Sequence, residues 1–536
     1  MARHIGIQGS VIGWDDPWHA AGCATMMRTG EGRHFPSQDK APSAGTFLAW
    51  IRSLGADFYM HHAMPEDDEI ARMIDDMARE GMRFVLANEY GNINGHVTPG
   101  TNRYDIREPL LARAADTGLF LGALYDETVH LQLHPDMYSR KWARSPDRPA
   151  HQWADPTGRT LDELEDAIAA AVAARRAQTN CVIYGEQVFP TLYHPLARGG
   201  MTPCPKLLKE EFQPLQLASA MGAAQQYGLG LGVCVDLWGM DVGAWFTRIW
   251  GFPGHSPAEY ASALKLAWHT GAKLLFTENA DALGRFDGER FCDSEFGLIH
   301  RSFAAEWAPA HPLPYDSRDV LADIVLIRSD DGIVTDRGNF GGRGPCGSAE
   351  LATTREMAST FQAFHLLSHG TLPSNGSTWF LPQSTFPSGS FERTPESLAA
   401  LPLARGAVSP YPHQHGLFYP LNALLVHDEK TELRGLDPKL IVLAGSRMTP
   451  ACLAAVRRHL DRGAHCLAGR WLLPGDFPAS DRLLAVDRFD CDAARAFVRP
   501  FIGRPDEWTI RFRQGSLTIT PLDRLGESLG FRWQGA

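Results

Sequence analysis

Long apolar runs, basic clusters and paired cysteines are all missing from this 536-residue chain. No stretch of 18 apolar residues is available to span a bilayer, and the N-terminus lacks the basic start and apolar core of a secretion signal. A cytoplasmic location is therefore expected. No Lys/Arg-rich run appears and the formal net charge is −11, so neither nucleic acid nor an anionic membrane is expected as a partner. Nine cysteines are scattered without CxxC spacing, which fits reduced thiols in a core better than a disulfide framework or structural zinc. GxGxxG after a first strand, GxxxxGK[ST], GxSxG and HEXXH are absent, and no HxH opens the first strand. The glycine-rich GNFGGRGPCG lacks the Lys-Ser/Thr end of a phosphate loop and reads as a loop. No cofactor is expected.

What remains is ordinary globular composition, 44% hydrophobic and 21% charged, in a chain too long for one core. Strand and helix signals alternate from the start. HIGIQGS and DFYMHH read as the first two strands, and PEDDEIARMIDDMAREG as a helix with acids in its first turn and Gly81 after its end. Five later apolar runs each stop at an acidic residue: RFVLANEY (Glu89), LFLGALYDE (Asp126, Glu127), NCVIYGEQ (Glu186), LGVCVDLWG (Asp236) and KLLFTEN (Glu278). Near-continuous hydrophobic runs are the mark of parallel strands buried on both faces. Seven such βα units in succession favour closure into a (β/α)8 TIM barrel, whose active site is built at the strand C-termini. DIVLIRSDD, from Asp323, either closes that barrel or opens the next domain.

Beyond it, LNALLVHDE, PKLIVLAG, a helix with Thr449 as N-cap, Pro450 at its first position and Gly463 after it, and AHCLAG form a second alternation. This predicts a doubly wound flavodoxin/amidotransferase-like α/β domain. EWTIRFRQGSLTITPL alternates apolar and polar residues about a Gln-Gly turn, as a hairpin in a small C-terminal β module would. The expected domains are a catalytic barrel over 1–320, the α/β domain over 321–480 and the β module over 481–536.

The domain order, with PKLIVLAGSRMTPACLAAVRRHLDRGAHCLAG and the passage from Asn422 to Gly469, resembles β-galactosidases whose barrel is followed by an amidotransferase-like trimerisation domain. These belong to the clan of retaining glycoside hydrolases built on (β/α)8 barrels. The resemblance implies a carbohydrate substrate, homo-oligomerisation with a trimer favoured, an acid/base at the end of strand four and a glutamate nucleophile ending strand seven. Counting the visible strands places Tyr125-Asp126-Glu127 at four and Thr277-Glu278-Asn279 at seven. The family's Asn-Glu pair at strand four is Asp126-Glu127 here, while an actual Asn88-Glu89 pair sits on strand three; a missed early strand would move Glu89 to four.

Retention needs one protonated carboxyl to serve the leaving oxygen and one ionised carboxylate to attack the anomeric carbon. Glu278 is the expected nucleophile. Glu127 is preferred to Glu186 as the acid, because Asp126 would raise its pKa by like-charge repulsion. Asn88, Glu89, Asp126, Asp236, Trp238, Asn279, His62 and Trp14 are the expected substrate contacts: carboxylates, amides and an imidazole for sugar hydroxyls, aromatics for the apolar sugar face. Trp18, Trp245, Phe246, Trp250 and Phe252 are further aromatic candidates, with core packing as the competing reading. His61 and His62 would point to opposite sides of a strand, so at most one faces the site. Two rivals stand beside the exo-acting glycosidase: a metal-dependent isomerase or hydrolase using Glu186, Asp236 and histidines such as His130 and His134, and a non-catalytic carbohydrate-binding barrel.

Overall fold

The computed structural model describes residues 3–9, 17–18, 42–62, 67–88, 105–133, 152–208, 213–237, 256–329, 332–333, 344–371, 417–523 and 526–536. Eight parallel strands close into a barrel in chain order: β1 His4–Gln8, β2 Phe58–His62, β3 Arg83–Asn88, β4 Phe120–Tyr125, β5 Ile183–Gln187, β6 Thr202–Leu207, β7 Gly232–Asp236 and β8 Leu274–Glu278. Closure runs through β1 and β8, with Gln8 opposite Glu278. The strands are joined by helices that carry the expected signals. Thr160 and Glu163 form a capping box ahead of the helix Leu161–Thr179, and Ser256 caps Pro257–His269. Gly81 adopts φ +66° just after the helix Asp67–Glu80.

Strand β6 corrects the sequence count. Its residues, Thr-Pro-Cys-Pro-Lys-Leu, are absent from the strands read in the sequence, and their two prolines, which cannot donate to a ladder, argue locally against a strand. Alternate residues of a strand turn their N–H groups to the same neighbour, so Pro203 and Pro205 weaken one ladder and spare the other. With β6 in place, Asp236 ends the seventh strand and Glu278 the eighth, not the sixth and seventh. Glu127 still follows the fourth.

The barrel closes without the strand Ile324–Arg328, which lies inside a second, five-stranded parallel sheet. Its spatial order is Leu424–Asp428, Ile324–Arg328, Leu440–Ala444, His465–Gly469, Leu483–Val486. The helix Pro450–Asp461 crosses over between two of these strands, with the Thr449 side chain accepting from the Cys452 N–H. A four-stranded antiparallel sheet combines Val320–Leu321 with Trp508–Phe512, Gly515–Pro521 and Leu529–Gly535. Among the described residues, no helix is long and apolar enough to cross a membrane.

The second sheet is fastened to the barrel through the helix Gln213–Tyr227. Gln226 Nε2 and Tyr227 OH each donate to the Asp428 carboxylate at 2.5 Å, and Gln226 Oε1 accepts from the Asp428 N–H. Gly222 permits this approach, since a Cβ there would overlap the Val426 carbonyl. Glycine normally weakens a helix interior by about 1 kcal/mol relative to alanine, yet here the backbone contact decides. Gly222→Ala is therefore expected to destabilise the protein by about 1–3 kcal/mol, the usual range for overpacking, read as a lowered thermal midpoint. An unchanged or raised midpoint would show that the seam relaxes freely.

Candidate active site

Side chains alternate along each barrel strand, so every second residue enters the barrel. The inner floor is apolar: Phe58, Met60, Val85, Leu124, Tyr184 and Phe276 pack together there. One step further toward the C-terminal end, the same parity that turns Leu124, Tyr184, Cys204, Cys234 and Phe276 inward brings Asp126, Glu186, Lys206, Asp236 and Glu278 to the barrel mouth.

Lys206 stands at the centre of this layer. Its Nζ lies 2.6 Å from Glu278 Oε2, 3.0 Å from Glu127 Oε1, 3.0 Å from Asp126 Oδ1, 3.6 Å from Glu186 Oε1 and 3.8 Å from Asp236 Oδ2. All six side chains are at least nine-tenths buried. Burial by itself would push the lysine pKa down, but Asp126, Glu127, Glu186 and Glu278 together hold it well above the usual lysine value, so it is an ammonium. Burial pushes Glu278 well up, reinforced by Asp236 and opposed by Lys206. Glu186 is likewise raised well above the glutamate range by burial, with Asp126 and Glu278 adding to the effect and Lys206 opposing it. Like charges in a low dielectric cannot all ionise, so the cluster retains protons at pH values where free glutamates have lost them. The thiols of Cys204 and Cys234, raised by burial, stay protonated.

The β4 end is braced from outside. Tyr125 OH accepts from Arg175 Nε at 2.7 Å, and Arg175 also donates to the Ile106 carbonyl at 2.6 Å. Glu127 itself takes φ +39°, a left-handed conformation rarely adopted by a side-chain-bearing residue, which turns the chain sharply into the helix Thr128–Leu133. Thr128 Oγ1 accepts from Trp153 Nε1 at 2.6 Å, and Gln132 Nε2 donates at 3.0 Å to the carbonyls of Ala154 and Cys346. At β8, Asn279 is also left-handed, at φ +77°, and its Nδ2 donates to Asp236 Oδ1 at 3.0 Å.

Of the residues singled out from sequence, Asp126, Glu127, Glu186, Asp236, Glu278 and Asn279 come together. Asn88 is buried close by, but its amide works on the backbone: Nδ2 donates to the Leu124 carbonyl and Oδ1 accepts from the Ile106 N–H. It ties β3 and β4 to the segment at Ile106, in place of the sugar contact expected of it. His61 packs outside the barrel wall against Trp18 and Tyr59, and Trp18, whose Nε1 donates to Asp76, is a core residue. Glu89, Trp14, Trp238, Trp245, Phe246, Trp250, Phe252 and His134 lie outside the described residues, as do the side chains of His62 and His130. The residue missed by sequence reasoning is Lys206. Its signal was a short apolar run, Met201 to Pro205, following Gly199-Gly200 and ending in a lysine.

Oxygens of Glu186 and Glu278 and the sulfur of Cys234 lie within 4.8 Å of one another, a spacing that could hold a metal. The Lys206 ammonium already stands among them as the cation. A second acidic group, Asp162, Glu165 and Glu429, belongs to the seam with the second sheet, where Arg447 reaches Glu165 at 2.8 Å and Glu429 at 3.3 Å. Burial, aided by Asp428, pushes Glu429 up to about 7.

The sequence matches no family model and no curated protein. Solved structures do resemble it at a distance. The exo-β-1,4-mannosidase Op5Man5 from Opitutaceae bacterium strain TAV5 aligns with a TM-score of 0.42 and 11% identity, over 99% of this chain and 86% of that one. A β-mannanase from Streptomyces thermolilacinus aligns with a TM-score of 0.27 and 12% identity, over 56% of this chain and 90% of that one. A 3-keto-D-glucoside 4-epimerase from E. coli aligns with a TM-score of 0.29 and 12% identity, over 58% of this chain and all of that one. The structural neighbours thus include glycoside hydrolases and a sugar epimerase, and at this distance the likeness assigns no residue a role.

Proposed function

We propose that the chain is a retaining, exo-acting glycoside hydrolase in which Glu278 attacks the anomeric carbon and Glu127 protonates the leaving oxygen. One observation carries the reading: both carboxyls touch the same ammonium, at 3.0 and 2.6 Å, which fits the separation of about 5–5.5 Å that double displacement requires. The resemblance-based support for Glu278 as the strand-seven residue is gone, and Asp236 now holds that position. Glu278 remains the better nucleophile on geometry, because Asp236 stands 3.8 Å from the ammonium and accepts a hydrogen bond from Asn279. Glu186, as fully enclosed as Asp236 and raised well above the glutamate range, is the acid that holds its proton at the floor of the site. The metal-dependent rival would have to displace Lys206 from Glu278.

The five-stranded sheet, read in sequence order as 2-1-3-4-5, has the strand order of flavodoxin-like domains and supports the amidotransferase-like reading of this region. Its proposed role is subunit association, with a trimer favoured.

Glu278→Gln is expected to abolish hydrolysis of nitrophenyl glycosides while the fold, read by circular dichroism, persists. Turnover retained in Glu278→Gln but lost in Asp236→Asn would transfer the nucleophile to Asp236. Glu127→Gln should lose about 10²- to 10⁴-fold on poor leaving groups and far less on dinitrophenyl glycosides, which need no acid. Because Glu278 must be ionised to attack and its pKa is raised, kcat/KM should fall with decreasing pH through a limb well above the ordinary glutamate value of 4.5. A limb at or below 4.5 would reject the assignment. Light scattering on the purified protein should give a trimer mass, and a monomer would remove the proposed role of the second sheet.

A further inference from the structure

Double displacement requires an acid and a nucleophile; nothing in it calls for a lysine. Yet Lys206 is placed within hydrogen-bond reach of both at once, donating to Glu278 Oε2 at 2.6 Å and to Glu127 Oε1 at 3.0 Å. It is 1% exposed, on a barrel strand, so its position is fixed by the wall and not by a loop. An ammonium this enclosed is costly to desolvate and persists only where negative charge stays beside it.

We propose that Lys206 is a positioning residue that follows the negative charge of the reaction, pairing with Glu278 in the resting enzyme and with Glu127 once Glu278 is esterified. The proposal rests on the reading of Glu278 and Glu127 as the catalytic pair. In the first step a Glu278 oxygen bonds to the anomeric carbon, the glycosidic C–O bond breaks, and the leaving oxygen takes the Glu127 proton. The charge has moved from Glu278, now a neutral ester, to Glu127, now a carboxylate. In the second step Glu127 removes a proton from water, the water oxygen bonds to the anomeric carbon, and the ester bond breaks to restore the Glu278 carboxylate. The pair carries one negative charge at every stage, and Lys206 lies between its two locations. A fixed cation of this kind needs no reorganisation as charge shifts, which is the source of electrostatic catalysis in enclosed sites.

The test is Lys206→Met in the full-length protein, assayed for kcat/KM against pH with one good and one poor leaving group. A loss of about 10²- to 10³-fold is expected on the poor leaving group, typical of removing one preorganised donor, and a smaller loss on the good one, which departs without the Glu127 proton. The acid limb should move to higher pH, because Glu278 loses the cation that opposes its protonation. A slower enzyme with an unmoved acid limb would mean that the lysine only fills space, and would overturn the proposal. Should Lys206→Met fail to fold, Lys206→Gln keeps a hydrogen-bond donor without the charge and should show the same shift. A wild-type measurement stands beside both: the Glu127 carboxyl, followed by carbon NMR, should titrate lower in enzyme trapped with a 2-deoxy-2-fluoro glycoside than in free enzyme, and an unchanged titration overturns the proposal. Full turnover in Glu278→Gln discards Glu278 as the nucleophile and with it the pair on which the proposal rests, whereas an inactive Glu278→Gln with an unshifted Lys206→Met profile discards only the role of Lys206.

Discussion

A single buried ammonium surrounded by five carboxyl groups is the constraint on which this barrel mouth depends. Removing a charged group from water is expensive, and one ion pair seldom offsets that cost. Lys206 is held instead by several partners at once, from β4, β5, β7 and β8, and each carboxyl in turn has the lysine to limit its repulsion from the others. The cluster is cooperative in this sense. Lys206 opposes protonation of both Glu186 and Glu278, so the titration belongs to the group and not to any one residue.

The apolar floor beneath the cluster sets the strength of these interactions. Phe58, Met60, Leu124 and Phe276 exclude solvent from the barrel interior, so the charges above them are weakly screened. The same burial that favours protonated Glu186 and Glu278 makes the Lys206 contact the main opposing influence on both. Strand geometry supplies the order: a period of two puts apolar residues and acids on one inward face, two residues apart, on strand after strand.

Structure outside the barrel braces this arrangement. Arg175 fixes Tyr125 immediately before Asp126 and Glu127, while Gln132 and Trp153 hold the helix immediately after them. One of the Gln132 contacts is the Cys346 carbonyl, in a segment between two strands of the second sheet. That contact ties the segment to the C-terminal end of the barrel, while Asp428 against Gln226 and Tyr227 fastens the five-stranded sheet to the last turn of the helix Gln213–Tyr227.

The parallel barrel, the later α/β alternation, the C-terminal hairpin and the acid-tipped strands were legible in the sequence, because buried parallel strands leave near-continuous apolar runs and carboxylates at their ends stand out against them. Thr449, Pro450 and Gly463 likewise announced the ends of their helix through local capping chemistry that needs no tertiary context. Strand β6 was hidden because its prolines argue locally against a strand, and only the barrel, by offering the ladder that those prolines spare, overrides them. Lys206 was hidden with it. Asn88 shows the complementary error: its residue type suits a sugar site, but which partner an amide meets is decided by strand register. Local sequence determined which residues could form elements and carry charge. Convergence of Asp126, Glu127, Glu186, Lys206, Asp236 and Glu278, drawn from positions 126 to 278, was decided by closure of the barrel alone, since no local interaction spans those separations.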